Sequence, residues 1–118
     1  MMGAIKMING YFKHLIENLE QIQKDFDNYQ NQYFPKRSPE FFCLELNGEA
    51  GELANLEKKI WKGKTVSIEH IADEAADTFI ALLNYANSRK INLALAVANK
   101  LQIIEQKRIA LQQKGEDY

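Results

Sequence analysis

Apolar residues recur at three- and four-residue steps along most of the chain, and strand-like alternation is scarce. Phe12, Leu15, Ile16, Leu19, Ile22 and Phe26 form one such stripe, which predicts a first helix over 5–29. Pro35 and Pro39 are the only prolines and mark one break, around Gln32 to Ser38. The second helix begins at Ser38-Pro39. Ser38 suits the N-cap, and proline suits the first helical position because its missing N–H costs nothing there. This helix is expected to reach Trp61 and stop near Gly63. A third follows Ser67 and runs to about Ser88, and a fourth follows Asn92 and runs to about Gln113. Helices of about 20 residues are ~30 Å long, and short connections make neighbours antiparallel. The expected fold is an all-α antiparallel bundle of about four helices. It occupies 1–118 as a single domain.

The third helix has little polar perimeter. Ile71, Ala72, Ala75, Ala76, Phe79, Ile80, Ala81, Leu82, Leu83 and Ala86 leave it apolar almost all round. Such a helix is buried on most sides, and four helices have trouble covering it alone. A homo-oligomer using this helix at the subunit interface is the expectation.

Composition narrows the classes. A chain of 118 residues has one domain's worth of core. Its net charge of -1 argues against a general nucleic-acid binder, which shows a basic excess. No apolar run approaches the ~20 residues of a membrane span, and the first ten residues lack the pattern of a signal peptide. The single cysteine, Cys43, excludes an internal disulfide framework and a cysteine zinc finger. Lying among Phe41, Phe42 and Leu44, it reads as a small core residue. A cytoplasmic domain is expected.

Charge is unevenly placed. From Glu45 to Asp77 there are eight acids and four lysines, while the rest of the chain is net positive. At ~100° per residue Glu45, Glu49 and Glu52 fall within about a 60° arc of the second helix. Glu74 and Asp77 share a face of the third, beside the most apolar stretch of the chain. Two such faces opposed in a bundle repel unless a cation lies between them, and an all-oxygen carboxylate set suits Mg²⁺ or Mn²⁺. The bland alternative is a pair of solvated faces balanced by Lys58, Lys59 and Lys62. Gly48 and Gly51 interleave with Glu49 and Glu52 at about 1 kcal/mol each against alanine. They suggest close approach of another helix or room for a ligand. A di-iron site needs Glu-x-x-His on two helices, and neither His14 nor His70 has a glutamate three residues before it. His70 reads as a neighbour of Glu74 rather than a ligand.

These residues carry a resemblance. Glu49-Ala-Gly-Glu52-Leu53, followed by Glu74-Ala-Ala-Asp77, resembles the MazG-like family of all-α nucleoside triphosphate pyrophosphohydrolases. The likeness extends from about Ser38 to Arg108. It includes Trp61-Lys62-Gly63 and the Ile91-to-Leu101 stretch. It implies cleavage of an NTP or dNTP to the monophosphate and pyrophosphate, as nucleotide-pool house-cleaning. It implies Mg²⁺, with Mn²⁺ as a substitute, held by Glu49, Glu52, Glu74 and Asp77 as metal ligands and catalytic residues, Glu49 also orienting the attacking water. It implies phosphate contact by Lys100; by charge and by shape, Lys59 and Trp61 are further substrate-binding candidates. It implies a homodimer or dimer of dimers. Gly48 stands where the family's first element has its first glutamate, with Glu45 one turn earlier. Ala81 stands where some relatives have tyrosine, and Gln102 and Ile104 where relatives often have asparagine.

Phe26, Tyr29, Tyr33, Phe34 and Trp61 are candidates for a base pocket, though at helical spacing aromatics also serve as core. Two rivals to the enzyme remain: a nucleotide-binding regulatory module with little catalysis, and a structural helical interaction protein.

Overall fold

The computed structural model describes residues 2–118; Met1, the first residue of the expected domain, lies outside them. The described residues form five α-helices and no strand: α1 (Met2–Tyr11), α2 (Leu15–Tyr33), α3 (Pro39–Trp61), α4 (Ile68–Ser88) and α5 (Leu93–Gln113). The fold is all-α, with one helix more than the periodicity predicts. The first helix breaks at Phe12 to His14, where the Leu15 N–H bonds back to the Phe12 carbonyl at 3.0 Å. Gly10, just before the break, is the weak helix former that the continuous apolar stripe conceals.

Local chemistry sets the other boundaries. The Ser38 and Ser67 hydroxyls accept from the Phe41 and His70 N–H groups, and the Asn92 side chain from the Leu95 N–H. At the end of α3, Gly63 takes φ +87° and the Lys64 N–H reaches the Lys59 carbonyl at 2.9 Å. This is the left-handed cap that glycine adopts without a Cβ penalty. The end of α4 uses Lys90 instead, at φ 59°.

The chain divides into two compact units. In the first, up to Lys24 and from Asn92 onward, α1 packs on α5 and buries Ile8, Ala94 and Ala98. The start of α5 is fastened to α2: Gln23 accepts the Leu93 N–H at 2.8 Å, and Glu20 accepts from the Asn92 amide at 2.9 Å. Buried Glu105 pairs with Arg108, whose guanidinium holds the carboxyl below its ordinary range.

The second unit, Asp25–Ile91, contains the end of α2 and the α3–α4 pair. Phe42, Leu56, Ala81, Leu83 and Ala86 are buried in it. On α3 the less exposed positions are Phe42, Leu46, Glu49, Leu53 and Leu56, spaced four, three, four and three. That is the stripe a helix presents to a partner. Cys43 falls outside it and is exposed, which corrects the core assignment. Its aromatic neighbours in sequence point elsewhere because one residue is a 100° turn.

α4 is less covered than its composition predicts. Its C-terminal half holds most of its buried residues, whereas Ile68, Phe79 and Ile80 are exposed in the single chain. No helix among the described residues is long and apolar enough to cross a membrane.

Candidate metal centre

Glu49 occupies a position on the inward stripe of α3 that leucine fills one turn to either side, at Leu46 and Leu53. Glu74 does the same on α4, in phase with Ile71, Thr78 and Ala81. Because α3 and α4 pack together, two glutamates face the same seam. Asp77, three residues on, brings a third carboxylate. One oxygen from each of Glu49, Glu74 and Asp77 lies within 4.8 Å of the other two. Glu74 is buried and the other two are half-buried.

This is an unfavourable arrangement for the bare chain. The Oε2 atoms of Glu49 and Glu74 are both buried without a hydrogen-bond partner. Such a group loses its hydration and recovers nothing, at roughly 1–3 kcal/mol or more for a charged one. The protonation equilibria register the crowding. Glu74 is pushed from 4.5 to about 7, first by the adjoining Glu52 carboxyl, then by burial and by the charges of Glu52, Glu49 and Asp77. Glu49 is also raised, chiefly by burial and then by Glu52 and Asp77. The exposed His70 stands beside Glu74, with Nε2 3.7 Å from Oε1. His70 is therefore a neighbour of the cluster, as its place one turn before Glu74 suggests.

The donor set fits a hard divalent cation. Carboxylate oxygens from three residues converge, and Glu49 and Glu74 each keep one buried oxygen without a hydrogen-bond partner. Such oxygen donors favour Mg²⁺ or Mn²⁺ over softer metals. Of the four ligands predicted, Glu49, Glu74 and Asp77 come together. Glu52 is exposed and stands beside Glu74, outside the group of three.

Two of the predicted substrate-contacting residues, Lys59 and Trp61, lie towards the end of α3, away from the carboxylates. Lys59 and Trp61 are exposed on the last turn of α3. Ten residues separate Glu49 from Lys59, or ~15 Å along the helix. Trp61 is 89% exposed and borders a shallow hollow with Ala54, Glu57, Lys58 and Lys62. Lys100 is exposed on α5, in the other unit. Gly48 and Gly51 face open space: a Cβ on either meets nothing within 4 Å. The close helix approach that their presence suggests is not made among the described residues.

The second unit also has an aromatic cleft of about 360 Å³. Phe26, Tyr29 and Phe34, three of the five aromatics singled out in the sequence, line it with Phe41 and Phe42. Tyr33 and Trp61 do not. Asn84 also lines it and is a residue that the sequence reading missed. Its signal was a carboxamide inside the apolar run Phe79 to Ala86.

Comparison with protein-family profiles, with curated proteins and with solved structures returns no match for this chain.

Proposed function

We propose that the chain is a divalent-metal-dependent nucleoside triphosphate pyrophosphohydrolase of the MazG-like kind, a house-cleaning enzyme of the cytoplasmic nucleotide pool. The observation that carries this reading is the convergence of Glu49, Glu74 and Asp77, from two packed helices, with two buried carboxylate oxygens unpartnered. It is supported by the order and spacing of the two acidic elements.

Glu49, Glu74 and Asp77 would hold Mg²⁺, with Glu52 at the rim. The bound ion supplies positive charge that offsets the phosphates and makes water a better nucleophile at neutral pH. A triphosphate does not approach an acidic cluster that lacks such a cation. Glu49 would orient the attacking water; its unpartnered second oxygen supports this reading, though Glu74 has one too. Water then attacks the α-phosphorus, pyrophosphate leaves, and the nucleoside monophosphate remains. Exposed Lys59, Lys100 and Trp61 are left as contacts for phosphate or base in the assembled protein.

A homodimer or dimer of dimers belongs to the same proposal. Leu44 of α3 is 73% exposed, and Phe79 and Ile80 of α4 are exposed as well. A second copy is the partner whose matching helices would cover them.

A panel of NTPs and dNTPs, assayed for monophosphate and pyrophosphate with Mg²⁺, tests the reaction. Glu49→Gln and Asp77→Asn are each expected to lower kcat by at least ~100-fold, the scale of losing one electrostatic contributor, while circular dichroism stays helical. Native rates in both variants would refute the site assignment. One observation favours the non-catalytic rival: Gly48 replaces a glutamate of the family's element. Nucleotide binding without pyrophosphate release in that panel is the result that would select it.

A further inference from the structure

The end of α4 departs from the pattern of the other helix ends. Three positions among the described residues take a positive φ, each just past a helix: Gly63, Lys90 and Gly115. Two are glycine, which has no Cβ to strain. Lys90, at φ 59°, makes the same turn with a side chain attached. Its N–H reaches the Asn87 carbonyl at 3.1 Å, and the Ile91 N–H reaches the Ala86 carbonyl at 2.9 Å. Glycine would hold that turn with less strain, so the turn alone does not account for the lysine.

Lys90 lines a cavity of about 460 Å³ within the second unit, between the α2–α3 connection and the C-terminal end of α4. That volume suits a small molecule. Lys36 and Arg37 line it from the connection. The Arg37 guanidinium lies 4.8 Å above the Phe41 ring, which holds it in place without neutralising it. Next to Lys90 in sequence, Arg89 is balanced by Glu40 at 3.6 Å. Lys36, Arg37 and Lys90 have no carboxylate at ion-pair distance among the described residues. One acid, Asp27, lines the cavity, and it accepts from the Asn31 amide at 3.2 Å. The lining thus carries three positive charges against one negative. Buried Phe42, shared with the aromatic cleft, is an apolar part of the wall, and half-buried Gln30, Asn87 and Ser88 add amide and hydroxyl groups.

We propose that this cavity binds a sugar phosphate, with the phosphate at Lys36, Arg37 and Lys90 and the hydroxyls at the amide groups. A phosphate monoester carries about two negative charges near neutral pH, which offsets the excess of the lining. A monocarboxylate would leave part of it. A neutral sugar would leave all of it, and an apolar molecule would strip water from the amides without replacing its hydrogen bonds. Glu49, Glu74 and Asp77 do not line the cavity, so the proposal stands apart from the metal reading.

Isothermal titration calorimetry of the full chain, in EDTA at physiological ionic strength, tests it. Ribose 5-phosphate is expected to bind saturably, at least ~10-fold tighter than ribose or inorganic phosphate, since each of those engages only part of the lining. Lys36→Glu should weaken it by at least ~10-fold. Lys64→Glu makes the same charge change beyond the other end of α3 and should alter it by less than about 2-fold, because salt screens distant charges. Lys90→Gly separates ligand from fold. It should raise the melting temperature of the free protein by a few degrees, through relief of the left-handed strain, yet weaken ribose 5-phosphate by at least ~5-fold. A lysine kept for the fold alone would not give that opposition. The proposal is overturned if ribose 5-phosphate gives no saturable heat, or if inorganic phosphate binds as tightly. It also fails if Lys36→Glu and Lys64→Glu weaken binding equally, or if Lys90→Gly keeps the native affinity.

Discussion

Glu74 is raised towards neutral pH first because the Glu52 carboxyl adjoins it, and then because it has been put where a hydrocarbon belongs, with Glu49 and Asp77 close by. The consequence for stability has a definite sign. Its folded value is about 7 against an ordinary 4.5, so between those limits the folded chain binds more protons than the unfolded one. Stability from this group is greatest below 4.5 and falls as pH rises towards about 7. We expect the melting temperature of metal-free protein to decline across that window. Mg²⁺ should restore it on the alkaline side by binding the ionised cluster. In Glu74→Gln both the decline and the Mg²⁺ response should shrink. Differential scanning calorimetry with and without EDTA measures this. A profile identical in the variant would show that the cluster does not govern the pH response. Glu105 does not mimic the effect: Arg108 holds it low, so its contribution is lost only as pH falls below the ordinary carboxylate range.

Helix boundaries with a local chemical cause were legible in the sequence, and those without one were not. Ser38-Pro39, Gly63, Ser67 and Asn92 each act on amides or dihedrals within a few residues, so spacing alone locates α3, α4 and the start of α5. The break at Phe12 to His14 has no capping signal, and the apolar stripe runs straight through it. The same division applies to the site. Carboxylates sharing a face are a property of one helix. Which face meets α4 is a property of the pair, and it turns Glu49 inward, leaves Glu52 at the rim and exposes Cys43. Asn84 could be seen as an anomaly in an apolar run, but its aromatic walls come from α2, α3 and the segment between them. The α3 glycines carry the prediction at this scale. With nothing within 4 Å of a built Cβ, Gly51→Ala should stabilise dilute, monomeric protein by about 1 kcal/mol, the difference in helix propensity. Urea unfolding reads it. Destabilisation of the monomer would mean that the backbone at Gly51 is constrained in a way the helix geometry does not show.

Large apolar side chains are left uncovered on every helix, including α3 and α4, which carry the carboxylates. Leu44 lies four residues from Gly48 and seven from Gly51, so one face of α3 combines a large exposed apolar side chain with two open backbone positions. A neighbouring helix from a second copy could approach that face closely. Light scattering is expected to give a mass of at least twice 13.6 kDa for the native chain, and a lower mass for Leu44→Lys at the same concentration. Equal masses would remove the interface from this face. The outward turn of Cys43 has a use in such work. It is the chain's sole sulfhydryl, it is open to solvent, and it is bonded in sequence to a residue of the aromatic cleft. A maleimide dye therefore attaches once per polypeptide without engineering. Mixing donor- and acceptor-labelled batches would report subunit exchange by energy transfer, and the same fluorophore would sense occupancy of the neighbouring slot.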